Sequence, residues 1–198
     1  MNAYSKALRS GDSSALSAWR DLANLLLHTT VAEPQFAVRL TWQSAARDRA
    51  FLESGSGKAV QLLDGRWLRI WQSLAIRNDG SGPRVKVLSS SYQFQADADG
   101  REWFFRYDYE RSPQNQYPGA HLQINGVQCP GAWAPETKPL GRVHFPTRRI
   151  SLEAVLRLLI EDFGVEPVRE TATWRAVLVA SEEQFDEIAT RPSPGPAK

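Results

Sequence analysis

Polar residues that can do chemistry are concentrated between residues 102 and 163. Two of the three histidines and the densest arginine cluster fall there, in stretches where polar and apolar residues alternate as they do along a half-buried strand. If these stretches are neighbouring strands of one sheet, their polar side chains share a face. The side chains expected to converge on that face are Arg106, Asp108, His121, Gln123 and His144.

Such a group has the parts for cleaving RNA without a metal ion. One imidazole would take the proton of a 2′-hydroxyl, a second would protonate the leaving oxygen, and arginine would stabilise the charged phosphorane. We therefore predict His121, His144 and Asp108 as catalytic residues, with Asp108 orienting an imidazole. Nearby tyrosines and tryptophans would stack on unpaired bases. The predicted substrate-binding residues are Arg106, Glu110, Gln123, Arg148 and Arg149.

An ordinary antiparallel sheet explains the same pattern without catalysis. Its solvent face would carry polar residues, and Arg106 would pair with an Asp or Glu on a neighbouring strand. One geometric observation separates the two interpretations. In an enzyme, His121 and His144 should lie in one cleft beside an arginine, whereas in a scaffold they should be separate and solvated.

The composition limits the classes of partner. The net charge is only +2 over 198 residues, so a nucleic-acid contact must come from a local basic patch. The single cysteine, Cys129, has no CxxC partner, and the histidines show no zinc-ligand spacing, so we expect neither a metal nor a cofactor. With no signal-peptide pattern and no apolar run long enough for a bilayer, we expect a cytoplasmic protein without a membrane partner.

Periodicity predicts the elements that must position these residues. Helical residues over 3–28, interrupted at 10–13 where Asp12 or Ser13 can cap the second piece, precede an alternating strand at 36–42. Asp64-Gly65 tolerates the positive φ angles of a tight hairpin, and further alternating strands follow it. A continuous apolar stripe predicts a covering helix over 152–163. A last helix is expected over residues 174–188, or a shorter one from 181 after a strand.

These elements predict an α+β fold, in which an antiparallel meander sheet of five to seven strands has helices packed on one face. We divide the chain into an N-terminal helical segment (1–30), a core domain of the sheet and its covering helix (31–165), a C-terminal helix (166–190) and a disordered tail (191–198).

One motif resembles a known family. Arg106-Tyr107-Asp108 followed by Glu110, then a histidine-bearing strand and a helix that starts Ser-Leu-Glu, is similar to the TumE-type proteins of bacterial toxin–antitoxin modules. The resemblance covers roughly residues 85–163. Where that family usually shows H-x-H, this chain has histidine, leucine and glutamine at positions 121 to 123, and it carries extra elements at both ends.

The resemblance implies a toxin-like protein that acts on RNA, with RNA as the substrate and an antitoxin or complex subunit as a protein partner. A second hypothesis is a non-catalytic interaction or adaptor subunit of a toxin–antitoxin or defence system, in which the terminal helices and the Trp-rich sheet form the interface. A third is a small-molecule module with a pocket between sheet and helix.

Overall fold

The computed structural model describes most of the chain, in these ranges: 8, 10–55, 59–78, 82–114, 118–125, 142–169 and 171–189. Three predicted features lie at least partly outside the described residues. They are the start of the first helix, the single cysteine Cys129 and the tail over 191–198.

Three helices and eight strands are described. In chain order they are α1 (Ser13–Thr30), β1 (Val38–Trp42), β2 (Arg49–Ser54), β3 (Val60–Gln61), β4 (Trp67–Asn78), β5 (Pro83–Gln95), β6 (Trp103–Glu110), β7 (Ala120–Ile124), β8 (Phe145–Pro146), α2 (Leu152–Glu161) and α3 (Thr171–Ala189).

The strands form one antiparallel sheet in meander order, which confirms the predicted α+β class. Its path runs β1-β2-β4-β5-β6-β7-β8, and β3 pairs separately with the start of β4. Short connections join β1 to β2, β4 to β5, β5 to β6 and β6 to β7, as antiparallel pairing allows. The two shortest strands, β3 and β8, contain two residues each.

Local signals end the elements where the sequence predicts. Gly65 adopts a φ of 86° in the hairpin between β3 and β4, and Leu62 donates its N–H to the Arg66 carbonyl there at 2.8 Å. Ser151 caps α2 by accepting from the N–H of Ala154 at 3.1 Å. After α2, Gly164 takes a φ of 64°, which a residue without a Cβ adopts at little cost.

The register sorts the side chains of the sheet into two faces. We call one of them the helix face, because on it Trp19 of α1 donates its indole N–H to Gln72 at 2.7 Å. Phe163, which follows α2, packs on the same face, 5.3 Å from Phe94 and 5.1 Å from Phe105 between ring centroids. The helix face carries Leu68, Ile70, Gln72, Tyr92, Phe94, Phe105 and Tyr107.

The core lies on the helix face. α1 contacts β1, β4 and β5 and also touches α2 and α3, while Val155, Leu156 and Leu159 of α2 are fully buried. The prediction that every helix packs on this one face goes further than these contacts and stays a prediction. The predicted segment boundaries also stay predictions.

The opposite side is the polar face, which alternation along the strands places away from the helix face. It carries Arg69, Trp71, Ser91, Gln93, Arg106, Asp108, His121 and Gln123. All of the residues that the sequence assigns to β6 and β7 as candidate site residues therefore lie on one side of the sheet.

A β-bulge changes the predicted facing at the start of β6. Strict alternation puts Trp103 with Phe105 and puts Phe104 on the other side. The register shifts between Phe94 and Gln95, so that Trp103 pairs with Gln95 while the Phe104 ring packs 4.9 Å from Phe94. The extra residue of a bulge reverses the side-chain alternation beyond it, and for Trp103 and Phe104 the prediction was wrong.

Two further elements differ from their predicted form. Residues 44–54, whose sequence pattern predicts neither a helix nor a strand, contain β2, an inner strand of the sheet. The α3 helix runs without a break, so the alternative of a strand followed by a shorter helix from Ser181 is wrong. Around His144 only Phe145 and Pro146 form a strand, since proline has no N–H for a longer ladder.

Candidate functional site

Three adjacent strands bring the predicted site residues together on the polar face. In the register of β6 and β7, Asp108 lies opposite His121 and Arg106 lies opposite Gln123. His121 in turn lies opposite Pro146 of β8. In an antiparallel pair, each step forward along one strand is matched by a step backward along the other. Extending the register of His121 and Pro146 by two residues therefore places His144 opposite Gln123.

The two histidines lie side by side. The ring centroids of His121 and His144 are 4.5 Å apart and their planes are tilted by 59°. The His121 side chain is 13% exposed, so its ring is shielded from bulk water but still reachable. The proximity of the two rings agrees with the catalytic hypothesis, whereas a cleft around them and catalysis itself stay predictions.

Hydrogen bonding fixes the His121 ring. Its Nδ1 lies 2.8 Å from the carbonyl oxygen of Pro118, and a carbonyl oxygen only accepts, so Nδ1 donates in this bond. The neutral ring then keeps its lone pair on Nε2, which lies 3.6 Å from Oδ2 of Asp108. A proton placed on Nε2 would lie beside that carboxylate.

Arg106 links the carboxylate to the second histidine. Its Nε donates to Oδ2 of Asp108 at 2.7 Å, and its Nη2 donates to Oε1 of Gln123. The Gln123 oxygen is thereby occupied, so its amide nitrogen faces His144 and lies 3.3 Å from Nε2 of that ring. The neutral His144 ring accepts this bond and carries its proton on Nδ1.

The histidines are therefore joined through a continuous network. It runs from the Pro118 carbonyl to His121, Asp108, Arg106, Gln123 and His144. Gln123 would act as a switch within it if His144 gained a second proton, because the amide would then have to turn its oxygen from Arg106 toward the ring.

The remaining predicted residues lie around this network. Glu110 is exposed at the end of β6, opposite Ser89. Arg148 is exposed, and the pocket of about 160 Å³ that it lines, counting the open space at its mouth, is bounded by Tyr92 and Tyr107 of the helix face rather than by the histidines. The Arg149 guanidinium instead lies 5.0 Å from the ring centre of Tyr109, and burial lowers its pKa.

A second polar cluster lies under the helices and escaped the sequence analysis. Gln72 accepts from Trp19 and donates to the Tyr92 hydroxyl at 2.6 Å, while Ser181 of α3 donates to the Glu153 carboxyl of α2. These residues line a pocket of about 470 Å³ between α1, α2, α3 and the sheet, counting the open space at its mouth. Burial raises the pKa of Tyr92 to about 12, and burial also raises the pKa of Glu153.

No protein-family model, no curated protein and no solved structure matches this chain. The likeness to TumE-type proteins stays a prediction. Among the residues that the structure describes, no group of three or more His, Cys, Asp or Glu side chains is arranged to hold a metal ion. Within the same residues, no helix combines the length and the apolar character needed to cross a bilayer.

Proposed function

We propose that this protein is a toxin-like, metal-independent ribonuclease of a bacterial toxin–antitoxin or defence system. The observation that carries the proposal is the pair of imidazoles, 4.5 Å apart between ring centroids, beside the hydrogen-bonded pair of Arg106 and Asp108, with Nε2 of His121 3.6 Å from the Asp108 carboxylate. The likeness of Arg106-Tyr107-Asp108 and Glu110 to the TumE-type motif supports the toxin class.

The geometry supports different roles for the two histidines. His121 takes the proton of the 2′-hydroxyl on Nε2, the atom that holds its lone pair and faces Asp108. The 2′-oxygen then attacks the adjacent phosphorus. Protonated His144 gives its proton to the departing 5′-oxygen, which leaves a 2′,3′-cyclic phosphate on one fragment and a 5′-hydroxyl on the other.

The surrounding side chains serve the charge that develops. Asp108 stabilises the His121 imidazolium once it forms. The Arg106 side chain is 37% exposed beside the histidines and places a permanent positive charge near the phosphorane. Exposed Arg148, four residues after His144 in the chain, is the proposed second cation.

A labelled single-stranded RNA incubated with the purified protein in EDTA tests the proposal. The wild type should produce fragments with 2′,3′-cyclic phosphate ends, and His121→Ala or His144→Ala should slow cleavage by about 10²–10⁴-fold. His28→Ala is the matched control, because His28 bonds the Phe36 carbonyl at 3.0 Å on another part of the chain. Cleavage that persists equally in all variants, or that never appears, would overturn the ribonuclease assignment.

The toxin class has its own readout. Induction of the wild type should stop growth and fragment total RNA, and the His121→Ala/His144→Ala double variant should do neither. Growth arrest by both proteins would show toxicity that does not depend on the histidines.

A second candidate is a non-catalytic interaction subunit, which one surface favours. Three exposed apolar residues lie around the β3–β4 hairpin and the end of α1: Leu63, Phe163 and Val168 are 37, 38 and 40% exposed. The Leu63 N–H donates to the Val31 carbonyl and the Val168 N–H to Thr30, which brings their backbones together. Capture of a bound protein by the wild type and its loss in Leu63→Ser/Val168→Ser, with no cleavage of RNA, would favour this function.

A further inference from the structure

The polar face continues well beyond the histidines, and its far side carries an aromatic pair. Phe51 of β2 lies opposite Ser73, and Trp71 of β4 lies opposite Glu53, so both rings are on the polar face. Their ring centroids are 5.3 Å apart and both side chains are half-buried, which leaves part of each ring exposed. Exposed rings on a sheet are stacking platforms for unpaired bases.

One row of the register joins this pair to the histidines. Trp71 lies opposite Ser91, Ser91 lies opposite Asp108, and Asp108 lies opposite His121. Neighbouring strands are about 4.8 Å apart, so three steps place Trp71 about 14 Å from His121. A few nucleotides of an extended strand cover that distance.

Small side chains occupy the space between. Ser73, Ser89 and Ser91 lie on the polar face between the aromatic pair and the charged strand β6, and all three are partly exposed. Because serine side chains are short, they leave room for an RNA backbone to pass between the larger aromatic rings and the Arg106–Asp108 pair. Its hydroxyl also donates to phosphate and sugar oxygens.

A basic cluster lies at the end of the same face. Arg49 pairs with Ala75, which pairs with Lys86, and Arg77 pairs with Arg84 in the next row. Arg49 and Arg77 are exposed, and the Asp48 carboxyl lies close enough for both arginines to lower its pKa, after a larger effect of Ser44. Four cations on two rows are a local concentration in a chain whose net charge is only +2.

We infer that the polar face is a binding track for single-stranded RNA, which enters over Arg49 and Arg77, stacks bases on Phe51 and Trp71, and ends at the histidine pair. The inference rests on the proposed function and names its substrate. Duplex RNA fits less well, because its paired bases cannot reach the aromatic rings. Phosphate contacts supply affinity, and stacking selects the unpaired strand.

Binding is measured in the non-cleaving His121→Ala/His144→Ala background with a fluorescent ten-nucleotide RNA, so that it does not depend on cleavage. Arg49→Glu/Arg77→Glu should weaken binding and reduce the slope of log affinity against log salt by about 1.4, since each phosphate contact on a single strand contributes about 0.7. Phe51→Leu, which keeps the apolar bulk and removes the ring, should weaken binding about tenfold. The same RNA made double-stranded should bind more weakly than the single strand.

Arg20→Glu/Arg175→Glu is the matched control. It makes the same change in net charge on α1 and α3, where these side chains are 38 and 57% exposed, and it should leave RNA binding nearly unchanged. Urea denaturation of each variant shows whether it is folded.

The outcomes separate the track from the ribonuclease. Binding that is lost only with the Arg49, Arg77 and Phe51 substitutions supports the track. If the wild type then cleaves no RNA, the ribonuclease proposal fails while the track stands. Cleavage by the wild type, together with RNA binding that these substitutions do not affect, would overturn the track but not the ribonuclease. Equal binding of duplex and single strand, or equal loss in the α1 and α3 control, would also overturn it.

Discussion

Two polar networks lie on opposite faces of the same sheet, and each is built around a glutamine. Under the helices, Gln72 joins Trp19 to Tyr92 and is only 3% exposed. On the polar face, Gln123 joins Arg106 to His144. Residues of the same type therefore hold together two clusters with very different surroundings.

The two clusters differ in how readily their ionisable groups can exchange protons with solvent. Around Gln72, burial raises the pKa of Tyr92 to about 12 and also raises that of Glu153, so both groups stay neutral more readily and the network is suited to packing. Around Gln123, which is itself 7% exposed, two imidazoles lie together beside a carboxylate and a guanidinium, and the Arg106 side chain is 37% exposed. We conclude that the first network serves stability and propose that the second serves chemistry.

The largest expected effect breaks the first network. Gln72→Ala should lower the free energy of unfolding by about 2–4 kcal/mol, because it leaves the part-buried Trp19 N–H without its partner and removes one of the two side-chain partners of the Tyr92 hydroxyl, the other being Ser90. Urea denaturation measures the loss. RNA cleavage per folded molecule should not change, and a selective loss of cleavage in a stable variant would contradict the separation of the two faces.

Asp108→Asn should affect chemistry rather than stability. Removing the charge weakens its support of the His121 imidazolium and should slow RNA cleavage by about 10–100-fold, the equivalent of a charge-assisted hydrogen bond of about 1.5–3 kcal/mol. The exposed part of its pairing with Arg106 limits the loss of stability to about 1 kcal/mol. An unchanged cleavage rate would remove Asp108 from the proposed mechanism.

Gln123 offers a smaller and more specific test. Gln123→Ala should cost about 1 kcal/mol of stability through the lost hydrogen bonds and should reduce cleavage. Gln123→Glu retains an acceptor for Arg106 and adds one for protonated His144, so it should keep more activity than the alanine variant. Rates of cleavage by the two variants in parallel decide the point, and a glutamate variant slower than alanine would contradict the role of the amide as a switch.

The smallest effect concerns pH. Because the folded pKa of Glu153 is raised above its ordinary value of 4.5, its stabilising contribution is complete below pH 4.5 and is lost as the pH rises through the folded pKa. Glu153→Gln should therefore raise Tm at neutral pH relative to the wild type and leave less difference near pH 4. Thermal unfolding from pH 4 to 8 tests this, and parallel curves for both proteins would contradict it.

The sequence predicts the parts of the fold that depend on local chemistry. Asp64-Gly65, the Ser151 cap and the apolar stripe of α2 each specify their own structure through residues within a few positions. Strict alternation likewise places Arg106 and Asp108 on one face. Where a bulge intervenes, as beside Trp103, alternation fails because the extra residue has no signal of its own.

Long-range partners could not be predicted from the sequence. Trp19 and Gln72 are 53 positions apart, and the track from Arg77 past Ser73 crosses a bulge between Ser73 and Leu74. The contact between the two histidines could be stated only as a condition, because it depends on β8 pairing with β7 in one register.

The most direct test of the two-face account uses the glutamine side-chain amides as reporters. A single-stranded RNA made non-cleavable by 2′-O-methyl groups is added to the isotope-labelled wild type, and the amide resonances of both glutamines are followed by NMR. The account predicts that the Gln123 amide shifts with saturating dependence on RNA while the Gln72 amide stays in place. A shift of Gln72 alone, or of neither amide, would contradict the assignment of the polar face as the working surface.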